Sequence, residues 1–246
     1  MKLMKRMTLL VFVLIISWVA VTVGTDNISE QNKVVVYTDI DVTHNDIAEL
    51  SAANTSTENS HALATLLAYR KNNLQYQAVL RFPRGTFKLS ALTAGAFELS
   101  NNTLIRMDEK TKIKLYGDVM FAGVPTGKGS KDGLSNFQWQ GGQLIGNGKR
   151  NRAEFLIIHG QNLSIDNVKF VRVSAYNQHV FDLNGVHDMT ISNSKFIGYG
   201  TGDLNKVPEN SRYHASVAEA IQLDTANYKT SYGQHQRIAM RSLKPK

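Results

Sequence analysis

The chain of 246 residues contains no cysteine. Neither a disulfide framework nor a thiolate metal site is therefore available, and the fold must be held by packing alone. His159, His187 and His214 lack the fixed close spacing of a metal site, so none is assigned as a ligand and no cofactor is expected. The basic residues are not interleaved with aromatics, which argues against a nucleic-acid partner. Outside the segment Met1–Gly24 no apolar run is long enough to cross a membrane.

The segment Met1–Gly24 is different. Lys2, Lys5 and Arg6 precede an uncharged run from Met7 to Gly24, with small residues at Ala20 and Gly24. This order describes a secretory signal peptide over 1–24, cut near Gly24-Thr25. A retained anchor is the alternative, but the run is slightly short of the ~20 residues a spanning helix needs. The formal charge is +8, with 28 basic and 20 acidic residues; without Lys2, Lys5 and Arg6 it falls to +5. That balance suits an acidic polysaccharide or an anionic wall, and equally an ordinary soluble protein.

A spacing of 26 recurs in several apolar columns at once: Phe137, Leu163, Met189; Trp139, Ile165, Ile191; Leu144, Phe170, Phe196; Phe155, Phe181; Ile157, Leu183. Five columns at one interval mark a repeating unit. Apolar and polar residues alternate inside it, as Met189 and Ile191 do with Thr190 and Ser192, which is the period of a strand. A unit too short to enclose a core must stack on its neighbours, so the spacing predicts a strand solenoid. Trp139 belongs to a core column and is expected inside. Asn167 and Asn193 share the interval at strand ends, where stacked asparagines stabilise turns.

Residues 25–59 read as polar and irregular, with one strand-like patch at Val34–Tyr37. From Ser60 to Tyr69, Ala62, Leu63, Leu66 and Leu67 fall on one face of a short helix that would cap the first coil. Ala78 to Leu89 supplies strand, Pro83-Arg84-Gly85 turn and strand. Before residue 130 the register is loose, although Ile113 precedes Trp139 by 26. The pattern at Val180–Asn184 resumes at Ala220–Asp224, a spacing of 40, which predicts an insertion of roughly a dozen residues within 198–218. The solenoid is thus expected over 60–227. Residues 228–246 read as an irregular basic tail without alternation, and truncation of a longer chain is the expectation there.

Four segments resemble the pectin-lyase-like superfamily of right-handed parallel β-helices, and within it the polygalacturonase-like glycoside hydrolases. They are the Ser60–Tyr69 helix with Phe82–Phe87, the glycine-rich coil Phe137–Gly148, the rung His187–Phe196, and Val217–Asp224. The resemblance implies an all-β right-handed parallel β-helix with a short N-terminal helical cap, and an exported polysaccharide-active protein. It places Glu219 where those hydrolases carry their first catalytic Asp. The chain departs from the pattern: Val217 and Ala218 replace Asn and Thr, Gln222 replaces the second Asp, and no later Asp pair, Gly-His-Gly turn or Arg-Ile-Lys clamp follows. Inverting hydrolysis needs two carboxyl groups, and only one stands at a matching place.

Alternation sorts the coil side chains: Phe181, Leu183, Ile221 and Leu223 inward, Asp182, Asn184, Gln222 and Asp224 outward. Asp182 is expected beside Gln222, and Asn184 beside Asp224. Such a ladder offers the paired donors and acceptors that sugar hydroxyls require, although outward residues of any solvated sheet are polar. His179 and Glu219 begin equivalent strands and form a candidate acid/base pair, or a rim pair that orders the long loop. The candidate catalytic residues are therefore Glu219, Asp182 and His179, with Gln222, Asp224 and Asn184 for substrate. Asp182, Glu219 and Asp224 are also a weaker candidate for the carboxylate cluster of calcium-dependent lyases. The expected protein is a secreted or cell-surface monomer with a polysaccharide partner, by resemblance a glycosidase of polygalacturonase type or a truncated remnant of one. The alternatives are a non-catalytic adhesin and a polysaccharide lyase.

Overall fold

The computed structural model describes residues 37–72, 77–93, 95–123, 133–146, 153–173, 179–199, 219–224 and 238–241. All of them belong to one compact unit, Val35–Lys246. The expected signal peptide, the 200–218 excursion and most of the basic tail lie outside the described residues. No helix among the described residues is long and apolar enough to cross a membrane.

Three parallel sheets carry the chain round successive coils. The seven-stranded sheet has the order β1 (Tyr37–Asp41), β2 (Gln77–Phe82), β5 (Thr103–Met107), β8 (Ser135–Gln140), β11 (Gln161–Asp166), β14 (His187–Ser192), β17 (Ile238–Arg241). The second sheet runs β4 (Phe97–Glu98), β7 (Val119–Gly123), β10 (Ala153–Ile158), β13 (Phe181–Asn184), β16 (Ile221–Asp224). The third runs β3 (Thr86–Ser90), β6 (Lys112–Tyr116), β9 (Gln143–Ile145), β12 (Lys169–Val171), β15 (Lys195–Ile197). Every strand pairs with the equivalent strand of the next coil, so the molecule is an all-β parallel β-helix.

The columns spaced by 26 in the sequence become stacks. Leu163 pairs with Phe137 and Met189, and Ile165 with Trp139 and Ile191. Trp139 is 1% exposed, as expected of a core residue, and its Nε1–H is turned toward the Met107 sulfur at 3.2 Å. In the second sheet Phe97, Phe121, Phe155 and Phe181 stack with ring centroids 5.3, 4.9 and 4.8 Å apart. Those separations follow the inter-strand distance of about 4.8 Å, because identical rings at one register inherit the spacing of the backbone. In the third sheet Phe170 lies 5.0 Å from Phe196.

The early coils correct one reading. Ile113 is not Trp139's neighbour: it lies in the third sheet between Phe87 and Leu144, while Ile105 pairs with Trp139. Turns of unequal length separate these strands, so a shared interval there was coincidental. Strand pairing also reaches beyond 60–227, through β1 on β2 and β17 on β14.

The cap helix is present but longer than expected. It spans Ser56–Asn72 as α1, and Leu63, Leu66 and Leu67 are buried against the first coil. It starts early because Thr55 and Glu58 form a reciprocal capping box: Thr55 Oγ1 accepts from the Glu58 N–H, and Glu58 Oε2 accepts from the Thr55 N–H at 2.7 Å. The Thr55 N–H and hydroxyl, both donating to Glu58 Oε2, also hold that carboxyl below its usual value. The helix is pinned to the sheets by Ser60 Oγ, which donates to the Ser90 carbonyl, and by Ser100 Oγ, which donates to the Leu67 carbonyl.

Corners use the left-handed backbone region. Gly141, Asn167 and Asn193 occupy one corner at φ 78°, 54° and 51°, where glycine or asparagine is favoured. The two asparagines do not bond each other; Asn193 Nδ2 donates to Asp166 Oδ1 instead. An asparagine ladder runs along a different corner. There Asn162 donates to Asn136, and Asn136 to Asn102, each at φ 53°.

Candidate functional site

The six candidate residues lie on β13 and β16 of the second sheet or just before them. Phe181 pairs with Ile221, Asp182 with Gln222, Leu183 with Leu223 and Asn184 with Asp224. The wider spacing of 40 thus keeps strand register across the insertion. Phe181 and Leu183 are fully buried and Asp182 and Asn184 are half-buried on the other face, as alternation requires. Leu223 holds the inward register but is 45% exposed, because β16 is the edge of its sheet and no described strand stacks beyond it.

The outward groups are bonded within each strand. Asn184 Nδ2 donates to Asp182 Oδ1 at 2.8 Å, and Gln222 Nε2 donates to Asp224 Oδ2. Each strand carries one amide and one carboxylate, and the order reverses between them. The result is a two-by-two chequerboard in which the carboxylates of Asp182 and Asp224 are diagonal. With rungs about 4.8 Å apart and about 3.3 Å of rise per residue, their Cα atoms are separated by ~8 Å. Each amide spends one donor on its strand-mate and leaves its carbonyl oxygen and second N–H for a ligand.

His179 and Glu219 precede the two strands. The His179 Nδ1 and Glu219 Oε2 atoms are 3.9 Å apart, with side-chain exposures of 22% and 52%. That is an ion-pair separation when the imidazole is protonated, and too long for a hydrogen bond. Nδ1 is shielded from solvent and has no hydrogen-bond partner among the described residues. Among the described residues no three His, Asp or Glu side chains are close enough together to hold a metal ion.

The polar face of these two rungs does not continue onto the two rungs before them. The positions equivalent to Asp182 on the two preceding rungs are Leu156 and Ala122, and the one before Asn184 is Ile158. An apolar strip therefore adjoins the chequerboard along the solenoid axis. Two buried polar residues lie at the ends of β10; sequence reasoning passed over Glu154 and weighed His159 only as a metal ligand. Glu154, at the start of β10, is 3% exposed, and His159, just after it, is 3% exposed with φ 56°. The signal for His159 was its equal spacing from Gly133 and Gly185, both small enough for a crowded corner; a Cβ on Gly133 would meet the His159 carbonyl oxygen at 1.4 Å.

No family's sequence pattern matches the chain, and no curated protein matches it. Among solved structures, PfbA, a surface adhesin of Streptococcus pneumoniae, is similar over 68% of this chain with 20% identity and a TM-score of 0.50. The matched part is 39% of that adhesin, so this chain spans about two fifths of its length. At this identity the likeness is one of fold, and it agrees with the parallel β-helix. A candidate glycosyl hydrolase from Parabacteroides merdae ATCC 43184 overlaps 71% of this chain and 94% of its own at 11% identity and a TM-score of 0.39.

Proposed function

We propose that the chain is an exported, polysaccharide-binding β-helix protein of the cell surface, and that sugar is bound on the outward face of β13 and β16. The observation that carries this reading is the chequerboard of Asp182, Asn184, Gln222 and Asp224. Four alternating acceptors and donors, fixed on rigid strands beside an apolar strip, match a sugar ring with hydroxyls on its rim and C–H groups on its face. The cell-surface setting is supported by the N-terminal apolar run and by likeness of fold to a surface adhesin.

Glycoside cleavage is the second reading, and a specific arrangement favours it. Inverting hydrolysis needs two carboxyl groups across the scissile bond, and the rungs of β13 and β16 carry Asp182, Glu219 and Asp224. Glu219, with His179 3.9 Å away, is the candidate proton donor. No pair of polygalacturonase type is offered by Glu219 with Gln222, since an amide cannot act as the base.

The test uses the whole chain against a panel of neutral and acidic polysaccharides, with binding followed by affinity electrophoresis and products by reducing-end and ultraviolet assays. Binding that weakens in Asp182→Asn and Asp224→Asn, with no new reducing ends, is the expected result. Binding unaffected by both substitutions overturns the site. New reducing ends that fall ~100-fold or more in Glu219→Gln establish the hydrolase reading instead. Products that absorb in the ultraviolet indicate elimination and a lyase.

A further inference from the structure

The third sheet carries a charge pattern that the fold does not require. Its outward residues form two columns. One is Thr86, Lys112, Gln143, Lys169, Lys195, and the other is Lys88, Lys114, Ile145, Val171, Ile197. All five lysines are exposed, and no strand of this sheet carries an acidic residue. Lys88 pairs directly with Lys114, and Lys169 with Lys195. Like charges side by side on neighbouring strands are destabilising, and no ion pair relieves these among the described residues.

Some outward charges on the other elements are paired. Arg81 lies 3.2 Å from Asp39 and 2.9 Å from Asp41, and Lys71 lies 2.6 Å from Glu98. The lysine sheet gathers five exposed cations with no such partner among the described residues. It also gathers exposed apolar groups: Ile197 is 48% exposed and Tyr116, next outward after Lys114, is 45% exposed; Tyr199 follows β15 at 39%.

We propose that this face docks a linear, carboxylate-bearing polysaccharide lying along the solenoid axis. From Lys112 to Lys195 is three rungs, so the cations form a row ~14 Å long at the inter-strand spacing of the sheet. A narrow strip of point charges suits a chain molecule better than a plane. The parallel file of Ile145, Val171 and Ile197, with the phenol of Tyr116 beyond it, supplies surface for the C–H faces of pyranose rings. A polyanion is also kept off the chequerboard, where Asp182, Glu219 and Asp224 repel it, so the two faces take different glycan segments. This inference does not rest on the chequerboard reading.

The test is binding of polygalacturonate, used as the carboxylate probe, to the full chain, with dextran as the neutral control. Binding to polygalacturonate alone is expected, weakening as salt is added. Lys169→Gln with Lys195→Gln is expected to weaken it ~10-fold at an unchanged melting temperature, since exposed cation contacts contribute modestly but additively. Lys169→Arg with Lys195→Arg should retain it. The charge-matched variant Lys71→Gln with Arg106→Gln should also retain it, and an equal loss there reduces the effect to net charge and overturns the proposal. Unchanged binding in the glutamine variant overturns it as well. So does capture of phosphatidylglycerol-containing vesicles, lost on lysine substitution, without any binding of polygalacturonate. Because Asp182 and Asp224 are untouched, failure here leaves the chequerboard reading standing, and the reverse holds.

Discussion

A single backbone atom sets the tightest constraint on any residue described. A Cβ at Gly133 would lie 1.4 Å from the His159 carbonyl oxygen of the next coil. Parallel pairing at a corner brings two main chains together, and only a residue without a side chain leaves room. Gly133→Ala is expected to cost ~1–3 kcal/mol through displacement of the His159 corner; thermal melting followed by circular dichroism checks this, and an unchanged midpoint contradicts it. The same corner lies at the end of β10, on the sheet that carries the chequerboard. Loss of registry there would reach Asn184 directly, because His159 N–H donates to the Asn184 carbonyl at 2.8 Å. The candidate site is thus held by main-chain pairing as much as by its own side chains. Its parity was legible at this scale: Asp182 and Asn184 alternate with Phe181 and Leu183, and a strand cannot turn both kinds to one side. The hydrogen bonds that tie amide to carboxylate were not legible, since they depend on rotamers and not on spacing.

At the scale of elements, α1 covers an end of the core that strands alone leave open. Its N-terminal box was present in the sequence as Thr55-x-x-Glu58, ahead of Ser60, where the apolar periodicity placed the start. Apolar periodicity marks the buried face of a helix but not its start, which is decided by who satisfies the first N–H groups. Thr55→Ala removes the acceptor for the Glu58 N–H and is expected to cost ~1 kcal/mol. A drop in melting temperature, with strand content unchanged by circular dichroism, is the outcome that checks it. The expected strand patch Val34–Tyr37 meets β1 at Tyr37, and the strand runs on through the more polar Thr38-Asp39-Ile40-Asp41, where Arg81 of β2 pairs with Asp39 and Asp41. Ile40 and Val42 still alternate inward into the core, and the two carboxylates that alternate with them face Arg81.

Over the whole molecule, stability is passed from coil to coil, since each rung contacts chiefly its neighbours. Melting can then begin at an end, and the β1 rung is where acid should act. Burial raises the Asp41 carboxyl, but the Thr43 N–H and hydroxyl and the Arg81 guanidinium outweigh this and hold it below its usual value of 3.8. A carboxyl depressed in the folded state adds stability above its unfolded pKa and loses it as pH falls through the folded one. Hydrogen exchange is therefore expected to rise first at amides of 38–42 and 78–82 as pH drops below about 4, ahead of the Trp139 coils. Simultaneous loss of protection along the solenoid would contradict a stepwise opening.

The sequence by itself determined the strand period, the regular coil length and the parity of inward and outward side chains. These are local properties: a strand alternates every second residue, and equal coils repeat at equal intervals. From them came the strand solenoid, the buried Trp139 and the pairing of Asp182 with Gln222 and Asn184 with Asp224. Only the tertiary structure decided which strands of the unequal early coils meet. Gln143, Lys169 and Lys195 keep the interval of 26, but Lys112 is paired with Gln143 from 31 residues earlier, a step that the fixed interval does not announce. Lateral pairing between distant segments is set by turn length and core packing, which act across coils and leave no local mark in the chain.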